Sequence, residues 1–87
     1  MKYVLDIESN TDMKTIRICG LYCIDTGEYE FDMPTTVEST FNRIFKEGDV
    51  VYTWNGARFD LPVINKGAFD IEKFFKKRGV RHVDLMI

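Results

Sequence analysis

Three carboxylates stand out for what their types and spacing could do: Asp6 and Glu8 in "YVLDIESN", and Asp60 in "VYTWNGARFDLPVI". Side chains two residues apart in a strand leave the same face, so Asp6 and Glu8 would stand roughly 6–7 Å apart at Cα. Carboxylates at that separation can bracket two metal ions about 3.5–4 Å apart. A first strand with a hairpin partner on one side and a parallel crossover partner on the other should be central, with this face under a helix. Two adjacent carboxylates buried there are costly unless cations join them. The alternative is that Val4, Asp6 and Glu8 simply face water, as residues of edge strands do. Asp60 follows an apolar strand and an Asn-Gly turn and precedes Pro62, which also suits a plain helix cap. Cap and ligand are both open on the residues alone. Oxygen ligands without Cys or His beside them favour Mg²⁺ or Mn²⁺ over zinc.

The elements that would position these groups follow from periodicity. Residues 2–8 alternate with the period of a strand. Residues 14–24 form a second strand, with Ile16, Ile18, Tyr22 and Ile24 on one face. Asp25-Thr26-Gly27-Glu28 reads as a hairpin turn, with Gly27 at positive φ. Tyr29, Phe31 and Met33 alternate in a third strand that Pro34 ends, giving an antiparallel meander. Thr35 and Glu38 match a capping box ahead of a helix whose Val37, Phe41, Ile44 and Phe45 share a face, with Gly48 as its stop. Residues 50–54 form a short buried strand, parallel to a neighbour because a helix precedes it. A helix opens at Asp60, Gly67 interrupts it, Asp70 caps a second piece over 71–78 that ends before Gly79, and a last strand runs from Val80 towards Leu85. The expected fold class is α/β: a mixed five-stranded sheet, three antiparallel strands and then α-β-α-β, in one domain over residues 1–87.

Composition sets bounds on function. Apolar residues at 45% and aromatics at 14% indicate a globular chain. No apolar run reaches the roughly 18 residues of a membrane span, and acids by residue 6 argue against a signal peptide, so the expected location is the cytoplasm of a bacterium or phage-infected host. Cys19 and Cys23 would lie roughly 13 Å apart along one strand, too far to bridge, and are expected as buried free thiols. The net charge of −2 is uneven: residues 1–57 carry a balance of −5 and residues 58–87 a balance of +3. That asymmetry fits either an acidic pocket with a basic rim or ordinary helix surface.

The two stretches together carry a family resemblance. "LDIESN" resembles the first motif of the DEDD family of 3′–5′ exonucleases, an Asp-x-Glu on the first strand. "WNGARFDLPVI" resembles the second, Asn-x-x-x-Phe-Asp-x-Pro, and "VDLMI" is similar to the Asp-Thr/Leu-Met/Leu strand that follows. The likeness runs from residue 3 to the end and is strongest to the proofreading domains of phage-type family A DNA polymerases. It implies a ribonuclease H-like fold and a two-metal exonuclease with Asp6, Glu8 and Asp60 as catalytic ligands of two divalent ions, Mg²⁺ or Mn²⁺. One ion would activate water and the other stabilise the leaving 3′ oxygen. Asn55 and Phe59 would touch the terminal nucleotides, the Ile7 backbone would lie near the 3′ end, and Arg58 would be a phosphate contact.

The implied partner is the 3′ end of single-stranded DNA, with RNA as the alternative, and a downstream polymerase domain in a longer protein. Asp84 is expected to support the site or the fold rather than bind metal. The family's third motif, a Tyr or His with an Asp four residues on, has no counterpart: no Asp follows His82 at that spacing, and His82 reads as a surface or packing residue. The expectation is therefore a C-terminally truncated domain, whose exposed apolar surface could support a homodimer. A non-catalytic nucleic-acid-binding or structural remnant is the other functional reading. Lys76, Lys77 and Arg78 are read as complementing a helix C-terminus, and Trp54 as core.

Overall fold

The computed structural model describes residues 1–9, 16–32, 36–56, 60–67 and 69–86. Alternation dominates its first strands. In β1 (Lys2–Ser9), Tyr3, Leu5 and Ile7 are buried, while Val4 and Asp6 between them are exposed. β2 (Ile16–Cys23) runs antiparallel to β1 and sets Cys23, Leu21 and Cys19 opposite those three apolar residues, so the buried faces coincide. β3 (Tyr29–Asp32) completes the meander through a turn in which Gly27 has φ 76°. Met33 and the Thr35 cap lie outside the described residues. Thr36 holds the N-cap of α1 (Val37–Ile44) without a side-chain cap bond.

The crossover through α1 brings β4 (Val50–Thr53) in parallel to β1, with Val4 opposite Tyr52. After α2 (Asp60–Gly67) and α3 (Ile71–Arg78), β5 (Arg81–Asp84) lies parallel to β4. The sheet order is β3-β2-β1-β4-β5, so β1 is central as its connections require. Asp70 caps α3 by accepting from the Lys73 N–H at 3.1 Å, and Gly79 ends it at φ 73°, both as the sequence predicts.

One side of the sheet carries the core. Tyr3, Leu5, Ile7, Cys19, Leu21, Cys23 and Val51 pack against Val37 and Phe41 of α1 and Phe45 at its C-cap, Leu61 and Ile64 of α2, and Ile71 and Phe75 of α3. Phe41 and Phe45 meet edge to face at 5.0 Å, and Phe45 meets Tyr3 the same way at 5.0 Å, so aromatic contacts join α1 to the central strand. Neither cysteine is in a disulfide, and both are buried.

The other side of the sheet is open. Val4, Tyr29 and Phe31 are exposed there and Tyr22 and Tyr52 half-buried. The expected burial of the Asp6 face under a helix is therefore corrected: β1 is central, yet Asp6 is exposed. A central position buries both faces of a strand only if elements cover both sides, and the core gathers the apolar residues of all three described helices on one.

The basic run lies in the last turn of α3, as expected, and Arg78 also reaches a second helix. Arg78 donates to the carbonyls of Asn42 (3.1 Å) and Phe45 (2.9 Å) and to Asn42 Oδ1 (2.8 Å), and its guanidinium lies 5.0 Å above the Phe74 ring. It thus also complements the C-terminus of α1, which it fastens to α3. The Lys76–Arg78 run leads into the start of β5, whose Arg81 pairs with the start of β4, whereas Asp84 closes β5 at the far end. These cations therefore form no rim around the acidic residues.

Candidate active site

The first carboxylate stands on rigid backbone. Asp6 pairs across β1 and β2 with Gly20, so its side chain rises from a central strand beside a position with no side chain. Glu8 lies two residues further along β1, just before a register shift between Glu8 and Ser9; its side chain is outside the described set. The Ile7 side chain between them is 6% exposed and sunk in the core, so only its backbone can reach a ligand on the open face.

Asp60 comes from the other stretch. It is the first residue of α2 and only 4% exposed. Burial, and then the charges of Asp6 and Asp84, push its carboxyl from the usual 3.8 up to about 7. The sheet thus brings the Asp6 stretch close enough for its charge to oppose the ionisation of Asp60. An anionic cluster of oxygens that resists its own charge is a setting a hard divalent cation would relieve. Among the described residues no three His, Cys, Asp or Glu side chains are grouped to hold an ion.

The turn that delivers Asp60 is held from β5. Asn55 adopts φ 58°, a left-handed conformation that Asn tolerates better than most residues. Its N–H donates to Asp84 Oδ1 at 2.9 Å, and the same oxygen accepts from the Met86 N–H at 3.0 Å. The Leu85 N–H reaches the Thr53 carbonyl at 2.9 Å, and the Leu61 N–H reaches the Gly56 carbonyl at 2.8 Å. Asp84 therefore supports the turn, and its charge also bears on Asp60. Arg58 and Phe59 lie outside the described residues.

Gly56 is required by packing. A Cβ there would collide with the Thr53 side chain, which is 1% exposed and bound through Oγ1 to His82 Nε2 at 2.7 Å. Gly56→Ala is expected to destabilise the domain by about 1–3 kcal/mol through overpacking, read as a lower urea midpoint with unchanged slope. His82 faces Leu61, Phe75 and Val80, and burial holds its imidazole below the usual value against the opposing pull of Asp84 and Glu72. Of the surface and packing readings, the structure favours packing.

Trp54 overturns its sequence reading. It lies past the end of β4 and is 70% exposed rather than core. The apolar run "VVYTW" hides this, because the strand stops one residue before the tryptophan.

The RNase_H superfamily model matches residues 3–87. The chain belongs to the RNase H superfamily. No curated protein matches it. The RNase H match reaches into all five strands, and Asp6, Asp60 and Asp84 all fall within it. Among the described residues of this RNase H superfamily member, no helix is long and apolar enough to cross a membrane.

Proposed function

We propose that this RNase H superfamily domain is a divalent-metal-dependent 3′–5′ exonuclease of the proofreading type, acting on single-stranded DNA. The observation that carries this reading is the buried Asp60 carboxyl, pushed up to about 7 with the Asp6 charge among its causes. Acidic groups held together at a net cost indicate a functional site rather than a stabilising one. Asp6, Glu8 and Asp60 would hold two ions, Mg²⁺ or Mn²⁺, which when bound supply an activated water and charge stabilisation at the leaving 3′ oxygen.

The chain's own groups orient the strand. Asn55, fixed by Asp84, would present its amide to a terminal nucleotide. The Ile7 backbone would border the 3′ end, and Arg58 and Phe59, which precede Asp60 in the sequence, would contact phosphate and base.

The test is digestion of a 5′-labelled single-stranded DNA in Mn²⁺, with an RNA of the same sequence in parallel. A ladder shortening one nucleotide at a time from the 3′ end of the DNA is the expected result. Faster shortening of the RNA would reassign the substrate. Binding that survives EDTA, with no cleavage of either strand, would overturn the catalytic reading in favour of a binding module.

A further inference from the structure

We propose that Trp54 is the platform on which a nucleobase stacks at the Asp6–Asp60 site; this rests on the reading of that site as one for single-stranded nucleic acid. The argument begins with alternation. In β4, Val51 and Thr53 are buried in the core, whereas Val50 and Tyr52 are half-buried and belong to the opposite, open side. Trp54 follows Tyr52 by two residues. Val4 of β1 is the register partner of Tyr52, and Asp6 follows Val4 by two. The β1–β4 pairing ends at Val4 and Tyr52, so Asp6 and Trp54 each lie two residues beyond the same register pair, at the same end of the sheet.

Its support is fixed on both sides. Thr53, before it, accepts from the Leu85 N–H, and Asn55, after it, is tied to Asp84. A ring on so anchored a backbone loses little freedom when a ligand covers it. Its 70% exposure leaves most of the largest aromatic side chain in water. An acidic centre repels phosphates until cations occupy it, but a base face carries no net charge. Stacking on Trp54 would thus seat a nucleotide beside the carboxylates without asking them to attract it, and would serve any base.

Trp54 is the chain's single tryptophan, so its emission reports on this position alone. The experiment titrates the protein with a short fluorescein-labelled oligodeoxythymidylate, with Ca²⁺ in place of Mn²⁺ to slow cleavage. Binding is followed by the anisotropy of the label and, with unlabelled oligomer, by tryptophan emission. The expected result is quenching that saturates along the anisotropy curve, affinity lowered about tenfold to a hundredfold in Trp54→Ala, and part of the loss recovered in Trp54→Phe. Phe31→Ala, which removes an exposed ring two strands from β1, should bind like the parent. Full-affinity binding by Trp54→Ala, with unquenched emission in the parent, would overturn the stacking assignment and leave the nucleic-acid reading in place. No anisotropy change with any of the proteins would overturn both.

Discussion

Asp60→Asn is expected to stabilise the metal-free protein by about 4 kcal/mol at pH 8 and to leave it nearly unchanged below pH 4. In the unfolded chain the Asp60 carboxyl loses its proton at its usual 3.8, whereas in the folded chain it holds that proton until about 7. Between those values the folded state binds more protons than the unfolded one, so stability falls as pH rises and the loss is complete above the folded value. Below 3.8 both states are protonated and no penalty exists. Asparagine keeps the shape and cannot ionise, so the variant escapes a penalty that the parent bears only above that range. Urea unfolding of both proteins at pH 4 and pH 8 reads the difference directly. An equal gap at the two pH values, or none at pH 8, would remove the electrostatic account of this residue.

The same account fixes the response to metal. Cations that bind the folded site alone stabilise by mass action. Mn²⁺ at pH 8 should therefore raise the unfolding midpoint of the parent and move that of Asp60→Asn much less.

How far the sequence discloses this arrangement depends on which force sets each part. Strand number, order and direction are legible because they follow from alternation and connection length: Tyr3, Leu5 and Ile7 fix the buried face of β1, and the helix between Asp32 and Val50 forces β4 parallel. Turn and cap chemistry is legible at Gly27, Asp70 and Gly79, where one residue type meets a local backbone need. Burial of the Asp6 face is not legible, because it depends on how many elements cover the second side of the sheet, and a central position implies coverage without supplying it. Trp54 misleads for a related reason: hydrophobicity marks a residue as able to be buried, while the strand's end, set by Asn55 turning left-handed against Asp84, decides that it is not. The partner of Arg78 was hidden as well, since the carbonyls it satisfies lie more than thirty residues back on α1. At the site, the Asp-x-Glu and Asn-x-x-x-Phe-Asp spacings point to Asp6 and Asp60. The charge of Asp84 reaches Asp60 only through the pairing of β4 with β5, which no local pattern records.

Asp6→Ala is expected to lower Mn²⁺-dependent cleavage about a thousandfold, equivalent to about 4 kcal/mol of lost transition-state stabilisation, while the fold stays intact. Asp6 is exposed and meets β2 through its backbone, so truncation leaves no cavity and breaks no ladder pairing. Its charge is one cause of the raised Asp60 carboxyl, so its removal eases the ionisation of Asp60, and the metal-free variant should unfold at higher urea than the parent at pH 8. The two effects run in opposite directions, which separates a chemical role from a structural one. A residue that merely holds the strand in place would lose stability and activity together. Cleavage rates at saturating Mn²⁺ and urea midpoints, taken on the same preparations, decide between them. Parental cleavage in the variant would remove Asp6 from the chemistry. Joint loss of activity and stability would make it structural. Lost cleavage with gained stability means that β1 carries Asp6 at a cost to the fold, as a functional site does.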